Sequence, residues 1–194
     1  MQIIEERVVY SASDLNNYLD CAHLTTLDRD AARGLTVRPQ PSPMSVLIRA
    51  QGNDHERAYL DRLRSAGHVT DLSPDPIGGA RTLDDLRAQA ARTEATMAAG
   101  APTIYQGTFF DETFLGRSDV LVRVERPSRR WPWSYEAVDT KLALDLKPYY
   151  AIQLCHYSEQ LERVQGSGPA LMHVVLGNGT MRALAVAEFA PYYR

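Results

Sequence analysis

The segment at residues 133–141 constrains this chain more than any other stretch, because it combines an extended sequence with opposite charges on one face. Its aromatic and β-branched residues predict a β-strand. Side chains two positions apart in a strand share a face. Asp139 and Lys141 therefore project together, on the face that also carries Tyr135.

A second acid, Asp119, opens the apolar segment 119–124. A lone carboxylate entering an apolar strand is costly unless something satisfies its charge. A divalent cation held between Asp119 and Asp139, with Lys141 beside it, would do so. Two plainer interpretations stay open at this point. In the first, Asp139 and Lys141 form only an ion pair at a sheet edge. In the second, Asp119 only accepts hydrogen bonds from nearby backbone at the start of a strand.

Length and composition limit the classes of protein to which the chain can belong. Its 194 residues suit one domain, 1–194, with a sizeable core, and we expect that domain to be part of a longer protein. The net charge of −3 gives no overall basic signal, so a nucleic-acid partner needs a local patch or metal ions. The two cysteines form no CxxC pair, which favours a reducing compartment. No signal peptide or membrane-length apolar run is recognisable, and we expect a cytoplasmic location without a membrane partner.

Hydrophobic periodicity and capping residues predict helices and strands that alternate along most of the chain. Helices are predicted from the Ser11–Ser13 cap to about Arg33, and over 45–66, 83–99 and 148–164. Strands are predicted at 8–10, 69–72, 103–110, 114–124, 133–141, 170–176 and 181–186, with a turn-rich link at 73–79. This order indicates a mixed α/β (α+β) domain with one central sheet flanked by helices.

Several polar residues fall on inward faces of the predicted helices. His55 lies on the apolar stripe of the second helix, and Gln153 and Tyr157 lie on that of the last. Each is also explained by ordinary packing with a hydrogen bond. We interpret Glu136 as structural, Glu56 as facing solvent or paired with an arginine, and both cysteines, Cys21 and Cys155, as small buried residues. A local basic patch is predicted from Arg117, Arg123, Arg129, Arg130 and Lys147.

Taken in order, these motifs resemble the RecB-like branch of the PD-(D/E)XK nuclease superfamily. The matching segments are Ser11 to Cys21, Gly52-x-x-His55, Gly116-x-x-Asp119, Asp139-Thr-Lys141 and Gln153-x-x-x-Tyr157. Each motif alone is weak, but the ordered set on these element types is fairly specific. Within the branch, the chain is most similar to the N-terminal nuclease domain of large bacterial proteins that also carry a helicase region.

The resemblance implies a restriction-endonuclease-like core and a metal-dependent deoxyribonuclease in repair, recombination or defence. It implies that Asp119 and Asp139 hold Mg²⁺ or Mn²⁺, with the Thr140 carbonyl and His55 as further ligands. Lys141 would orient or deprotonate the attacking water. The expected partners are single-stranded DNA or DNA ends, contacted by Gln153 and Tyr157, and a helicase region of the same longer chain.

Some RecB-like relatives bind an iron–sulfur cluster through one N-terminal and three C-terminal cysteines. Only Cys21 matches that pattern, because Cys155 lies inside the Gln153–Tyr157 motif. We therefore expect no cluster.

Two other functions remain open from the sequence. One is a catalytically silent nuclease-like module that binds DNA or acts as a scaffold within a helicase-containing protein. The other is a two-carboxylate hydrolase acting on sugars, which leaves Lys141 unexplained.

Overall fold

The computed structural model describes residues 1–74 and 82–194. In these ranges the chain forms a mixed eight-stranded sheet and six helices. The strands are Gln2–Ile4 (β1), Arg7–Ser11 (β2), Thr70–Asp71 (β3), Thr103–Phe110 (β4), Phe114–Val124 (β5), Ser134–Thr140 (β6), Leu171–Val175 (β7) and Met181–Ala185 (β8). The helices are Ala12–Asp20 (α1), Ala22–Ala32 (α2), Pro43–Ala66 (α3), Leu83–Ala98 (α4), Pro148–Gln165 (α5) and Val186–Tyr193 (α6).

Strand β5 is the centre of the sheet. It runs antiparallel to β4 along most of its length and antiparallel to β6 along its second half. The start of β5 pairs in parallel with β2, and β6 pairs in parallel with β7. Strand β8 is antiparallel to β7, and β3 lies outside β4. The predicted fold class, a central mixed sheet flanked by helices, is confirmed.

Local sequence signals explain where most of these elements begin and end. Thr82 and Asp85 form a reciprocal capping box at the start of α4. Pro148 occupies the first turn of α5, where its missing N–H costs nothing. Gly166 ends that helix in the left-handed region, with φ of 76°. Gly179, with φ of 80°, turns the chain between β7 and β8.

The N-terminal part differs from the prediction. The single helix expected to run to about Arg33 is two helices, because Cys21 has extended backbone, with φ of −162° and ψ of 115°, between α1 and α2. Cys21 is exposed, so its predicted burial was wrong, whereas Cys155 is buried as predicted. Strand β1 and helix α6 were not predicted. Most of the predicted 73–79 turn falls on 75–81, outside the described residues.

The core has a layer on each side of the sheet. On one face, Tyr135, Leu154 and Leu161 belong to a large cluster in which α5 covers the central strands. On the other face, Tyr59 of α3 packs with Val120 and Val138. The sheet is thus held between α5 and α3, and residues near its centre can be reached from both helices. None of the helices in the described ranges has the length and apolarity needed to cross a membrane.

Candidate active site

The candidate site begins where β5 and β6 separate. Their pairing ends at Val120 and Val138, and the next residue outward on β5 is Asp119. Instead of continuing the ladder, Asp119 Oδ2 accepts hydrogen bonds from Thr140 N at 2.7 Å and Thr140 Oγ1 at 2.8 Å. The backbone N–H and the hydroxyl of Thr140 are therefore donors to Asp119. The predicted contact of the Thr140 carbonyl with a metal stays a prediction. A carboxylate is thus fixed in the gap between two central strands.

Asp139 lies across this gap and is only 1% exposed. Lys141 Nζ forms an ion pair with Asp139 Oδ2, although that oxygen accepts no hydrogen bond of good geometry. Gln153 Nε2 approaches Asp139 Oδ1 at 3.5 Å, a weak contact, and also donates to Tyr157 Oη at 3.2 Å. Helix α5 therefore brings Gln153 and Tyr157 to the acid and lysine of β6, as their shared inward face predicted.

Burial makes both aspartates reluctant to ionise. Loss of solvent, the negative charge of Asp139 and that of Glu56 raise the pKa of Asp119 to about 8, against the lowering effect of the Thr140 hydrogen bond and Lys141. The pKa of Asp139 is also raised, chiefly by burial, although Lys141 opposes this. One ammonium group thus lies near two carboxylates, the buried Asp139 and the partly buried Asp119, and their negative charge is only partly neutralised.

Glu56 is a site residue that the sequence interpretation missed. It was expected to face solvent or pair with an arginine, and this was wrong. Its Oε1 accepts hydrogen bonds from Tyr105 Oη and Gln106 Nε2, both at 2.7 Å. Its charge also raises the pKa values of Asp119 and Asp139. The signal was present, because position 56 lies three residues before the buried Tyr59 and is therefore its neighbour on the helix surface.

A local distortion of β4 presents Gln106 to Glu56. The β4–β5 register passes from Tyr105↔Val120 to Gly107↔Ser118 and leaves Gln106 and Asp119 outside the ladder. Gln106 adopts a φ of 56°, which is uncommon for a residue with a side chain. Irregularities of this kind re-aim side chains beside functional sites. Here the distortion accompanies both the turn of Gln106 toward α3 and the release of Asp119 from regular pairing.

His55 precedes Glu56 on α3 and is half-buried, as its place on the inward stripe predicted. Its Nε2 is buried and has no hydrogen-bond partner among the described residues. An unpartnered imidazole nitrogen is available to a ligand. Its role as a metal ligand stays a prediction.

The Gly116 position explains the glycine of the Gly-x-x-Asp motif. A Cβ atom built there would lie 3.0 Å from Tyr157 Cε1 and 3.7 Å from His156 Nε2. Tyr157 is 4% exposed and packs directly over this backbone. A side chain at position 116 would push Tyr157 away and disturb its contact with Gln153.

The predicted basic residues do not form one patch. Arg123 pairs with Glu125 at 2.8 Å, and Arg130 pairs with Glu94 at 2.6 Å. Both guanidinium groups also lie against tryptophan rings near the start of β6, at the opposite end of that strand from Asp139. By contrast, Glu136 is structural as interpreted, since its Oε2 contacts His173 Nε2 at 2.8 Å.

The comparisons with known proteins add no relative. No protein-family model matches the chain, and a search of curated proteins finds no match. The arrangement of the site therefore has to be interpreted from its own chemistry.

The donor chemistry of the site fits a hard divalent cation. Asp119, Asp139 and Glu56 supply carboxylate oxygens, the ligands that Mg²⁺ and Mn²⁺ accept, and the raised pKa values of the two aspartates reflect unsatisfied negative charge. Within residues 1–74 and 82–194, however, no three His, Cys, Asp or Glu side chains are grouped so as to hold a metal ion. Asp139 is turned to Lys141, and Glu56 to Tyr105. Loading a cation would therefore require these carboxylates to exchange partners.

Proposed function

We propose that this chain is a metal-dependent deoxyribonuclease that hydrolyses phosphodiester bonds. One observation carries the proposal: two carboxylates, the partly buried Asp119 and the buried Asp139, lie at a strand separation with a lysine beside them. A packed domain has no structural need for two such acids that share one cation, because each poorly solvated charge costs stability. Such strain is typical of a site that is completed by a ligand.

A divalent cation would supply Lewis-acid activation of the phosphate and a lower pKa for bound water. Asp119 and Asp139 would hold it, with Glu56 and His55 as candidates for further ligands. Thr140 keeps Asp119 oriented through two hydrogen bonds. Gln153 approaches Asp139 from α5 and is itself in contact with Tyr157. These contacts limit the rotation of both acids.

Lys141 is the group best placed to act on the phosphate. Its ammonium contacts Asp139 and lies 5.3 Å from the centre of the Tyr150 ring, so its position is fixed from two sides. In hydrolysis the water oxygen bonds to phosphorus, the bond to the leaving oxygen breaks, and the water proton ends on that oxygen. Lys141 would offset the negative charge that builds on the phosphoryl oxygens.

The substrate and setting follow from the resemblance of the ordered motifs rather than from contacts in the fold. We propose single-stranded DNA or DNA ends as the substrate, a helicase region of a longer chain as the partner, and the cytoplasm as the location. The net charge of −3 supports recognition through the metal site and local contacts, because no general attraction to DNA is available.

A cleavage assay with Mn²⁺ or Mg²⁺ on labelled single-stranded and duplex oligonucleotides tests the proposal. Asp139→Asn and Lys141→Ala should each reduce cleavage by at least about 100-fold, the usual effect of removing a group that stabilises a transition state. Glu136→Gln is the matched control, since this buried acid is on the same strand but contacts His173, and it should retain activity.

One observation favours a silent DNA-binding module instead: Lys141 already neutralises Asp139 without a metal. In that case salt-sensitive DNA binding would be found with no cleavage under any divalent metal. Full activity in purified Asp139→Asn would reject the roles assigned above.

A further inference from the structure

Arg117 is a half-buried arginine with no carboxylate partner among residues 1–74 and 82–194. Within these ranges its one hydrogen bond to a side chain runs from Nη2 to Gln89 Oε1 at 3.2 Å, and its Nε is buried and unpartnered. In the described part of the chain, no Asp or Glu oxygen lies within 4.0 Å of its guanidinium. Arg123, on the same strand, shows the usual solution, an ion pair with Glu125. The positive charge of the Arg117 guanidinium is therefore not neutralised by any carboxylate of the described residues and is available to an anionic ligand.

The position of Arg117 connects it to the candidate site. It lies on β5 two residues before Asp119, at a separation of about 7 Å along the strand. The last β5–β6 pair at this end is Val120 with Val138. Arg117 and Lys141 each lie three residues beyond that pair in the sequence, on the side where the two strands part.

The direction of its side chain separates Arg117 from the reacting centre. Arg117 is paired with Thr108 of β4, and its guanidinium reaches Gln89 on α4, whereas Lys141 contacts Asp139 on β6. The two cations therefore have separate surroundings, Gln89 of α4 for Arg117 and Asp139 of β6 for Lys141.

We propose that Arg117 binds a backbone phosphate next to the scissile one. This inference rests on the proposed nuclease function. A guanidinium binds phosphate through two parallel hydrogen bonds, and the two Nη groups of Arg117, which form no ion pair within the described ranges, supply those donors, whereas its Nε is buried. Arg117 would fix the register of the strand across Asp119 and Asp139, while Lys141 acts on the scissile group.

Equilibrium binding of a fluorescent single-stranded oligonucleotide, measured in EDTA over a series of salt concentrations, tests the proposal. Arg117→Gln should weaken binding by about 5–10-fold and lower the salt slope by about 0.7, the value for one phosphate contact on a single strand. In cleavage assays with Mn²⁺ the same variant should raise KM more than it lowers kcat. The exposed Arg92 on α4 gives the matched control, and Arg92→Gln should change neither quantity.

The outcomes distinguish this inference from the proposed function. If the wild-type chain binds and cleaves DNA but Arg117→Gln equals the wild type, the phosphate contact is refuted and the nuclease proposal stands. If no variant and no wild-type sample binds or cleaves DNA, both proposals fail. Loss of thermal stability in Arg117→Gln with unchanged affinity would assign Arg117 a structural role and overturn the inference.

A second variant keeps the test decisive if Arg117→Gln does not fold. Arg117→Lys retains the charge but loses the planar pair of donors, so it should weaken binding by about threefold relative to Arg92→Lys. Equal affinity of these two variants would also refute the contact.

Discussion

Replacing Asp119 by asparagine should stabilise the metal-free protein. The substitution removes the ionisable group but keeps an oxygen that can accept the hydrogen bonds from Thr140 N and Oγ1. In the folded protein the pKa of Asp119 is raised from its ordinary value of 3.8 to about 8, first by burial and then by Asp139 and Glu56. The ionised form therefore opposes folding, which is the reverse of a surface ion pair.

The sign of the pH dependence follows from linkage. Between pH 4 and pH 8 the folded protein binds about one proton more at this site than the unfolded chain, so its stability falls as pH rises. At about 1.4 kcal/mol per pH unit, the difference between 3.8 and about 8 sets an upper limit of about 6 kcal/mol. Structural relaxation reduces the cost of buried charges in real proteins. We expect Asp119→Asn to gain about 2–3 kcal/mol at pH 8 and less than about 1 kcal/mol at pH 5.

Thermal and urea unfolding in EDTA at pH 5, 6.5 and 8 measure this effect. For a chain of this length the gain at pH 8 corresponds to an increase in Tm of about 5–10 °C. Asp111→Asn is the control of opposite sign. Burial alone would raise the pKa of Asp111, but hydrogen bonds from Phe114 N, Gln160 and Thr113 N lower it, so its neutral variant should lose stability, and lose more at pH 7 than at pH 3.

Addition of Mn²⁺ should narrow or reverse the difference, because an ion that binds only the folded wild type stabilises it by mass action. The electrostatic reasoning is refuted if Asp119→Asn is less stable than the wild type at pH 8 in EDTA, or if both lose stability with the same pH slope. An absence of any Mn²⁺ effect would count against the metal site alone.

Three further expectations concern single side chains. Gly116→Ala should cost about 1–3 kcal/mol of stability and reduce activity, since its Cβ would meet the Tyr157 ring at 3.0 Å; urea unfolding and the cleavage assay measure both, and unchanged values would show that Tyr157 moves freely. Glu56→Gln should keep its acceptor oxygen for Tyr105 and Gln106 and so retain its Tm, while metal-dependent cleavage falls at least about tenfold; unaltered cleavage would remove Glu56 from the site. In the native protein only the exposed Cys21 should react rapidly with a thiol reagent, because Cys155 is buried and burial raises the pKa of its thiol to about 11. A titration that finds two rapidly reacting thiols, or one in Cys21→Ser, would contradict this.

Local signals were sufficient to predict the elements from β4 to β8. The strands 103–110 and 114–124 have the predicted bounds, because a polar turn separates two runs rich in aromatic and β-branched residues. Helix α5 was equally well marked, by a proline at its start and a glycine at its end. Asp139 and Lys141 were also brought together as predicted, since side chains two apart along an extended chain share a face.

The structure differs from the prediction where contacts between residues distant in the sequence determine the local conformation. Cys21 breaks the first helix although no proline or glycine marks the position, and α6 contains Pro191, which reads as a helix breaker. Glu56 was misjudged because its partners, Tyr105 and Gln106, are about 50 positions away in the chain. The positive φ of Gln106 likewise has no sequence signal, since it follows from the contact rather than from a glycine.

Helix α3 carries both His55 and Glu56 but is anchored to the sheet by few side chains, with only Tyr59 and Leu60 buried along its described length. Its first turns expose Met44, Val46, Leu47 and Ile48. Local opening of such a helix needs far less free energy than global unfolding, and each opening would carry Glu56 away from Asp119 while the sheet stays folded. The completeness of the site would then depend on how firmly one helix is docked. A molecule that binds the exposed half of α3 would shift this balance only if it binds the docked and undocked helix with different affinity.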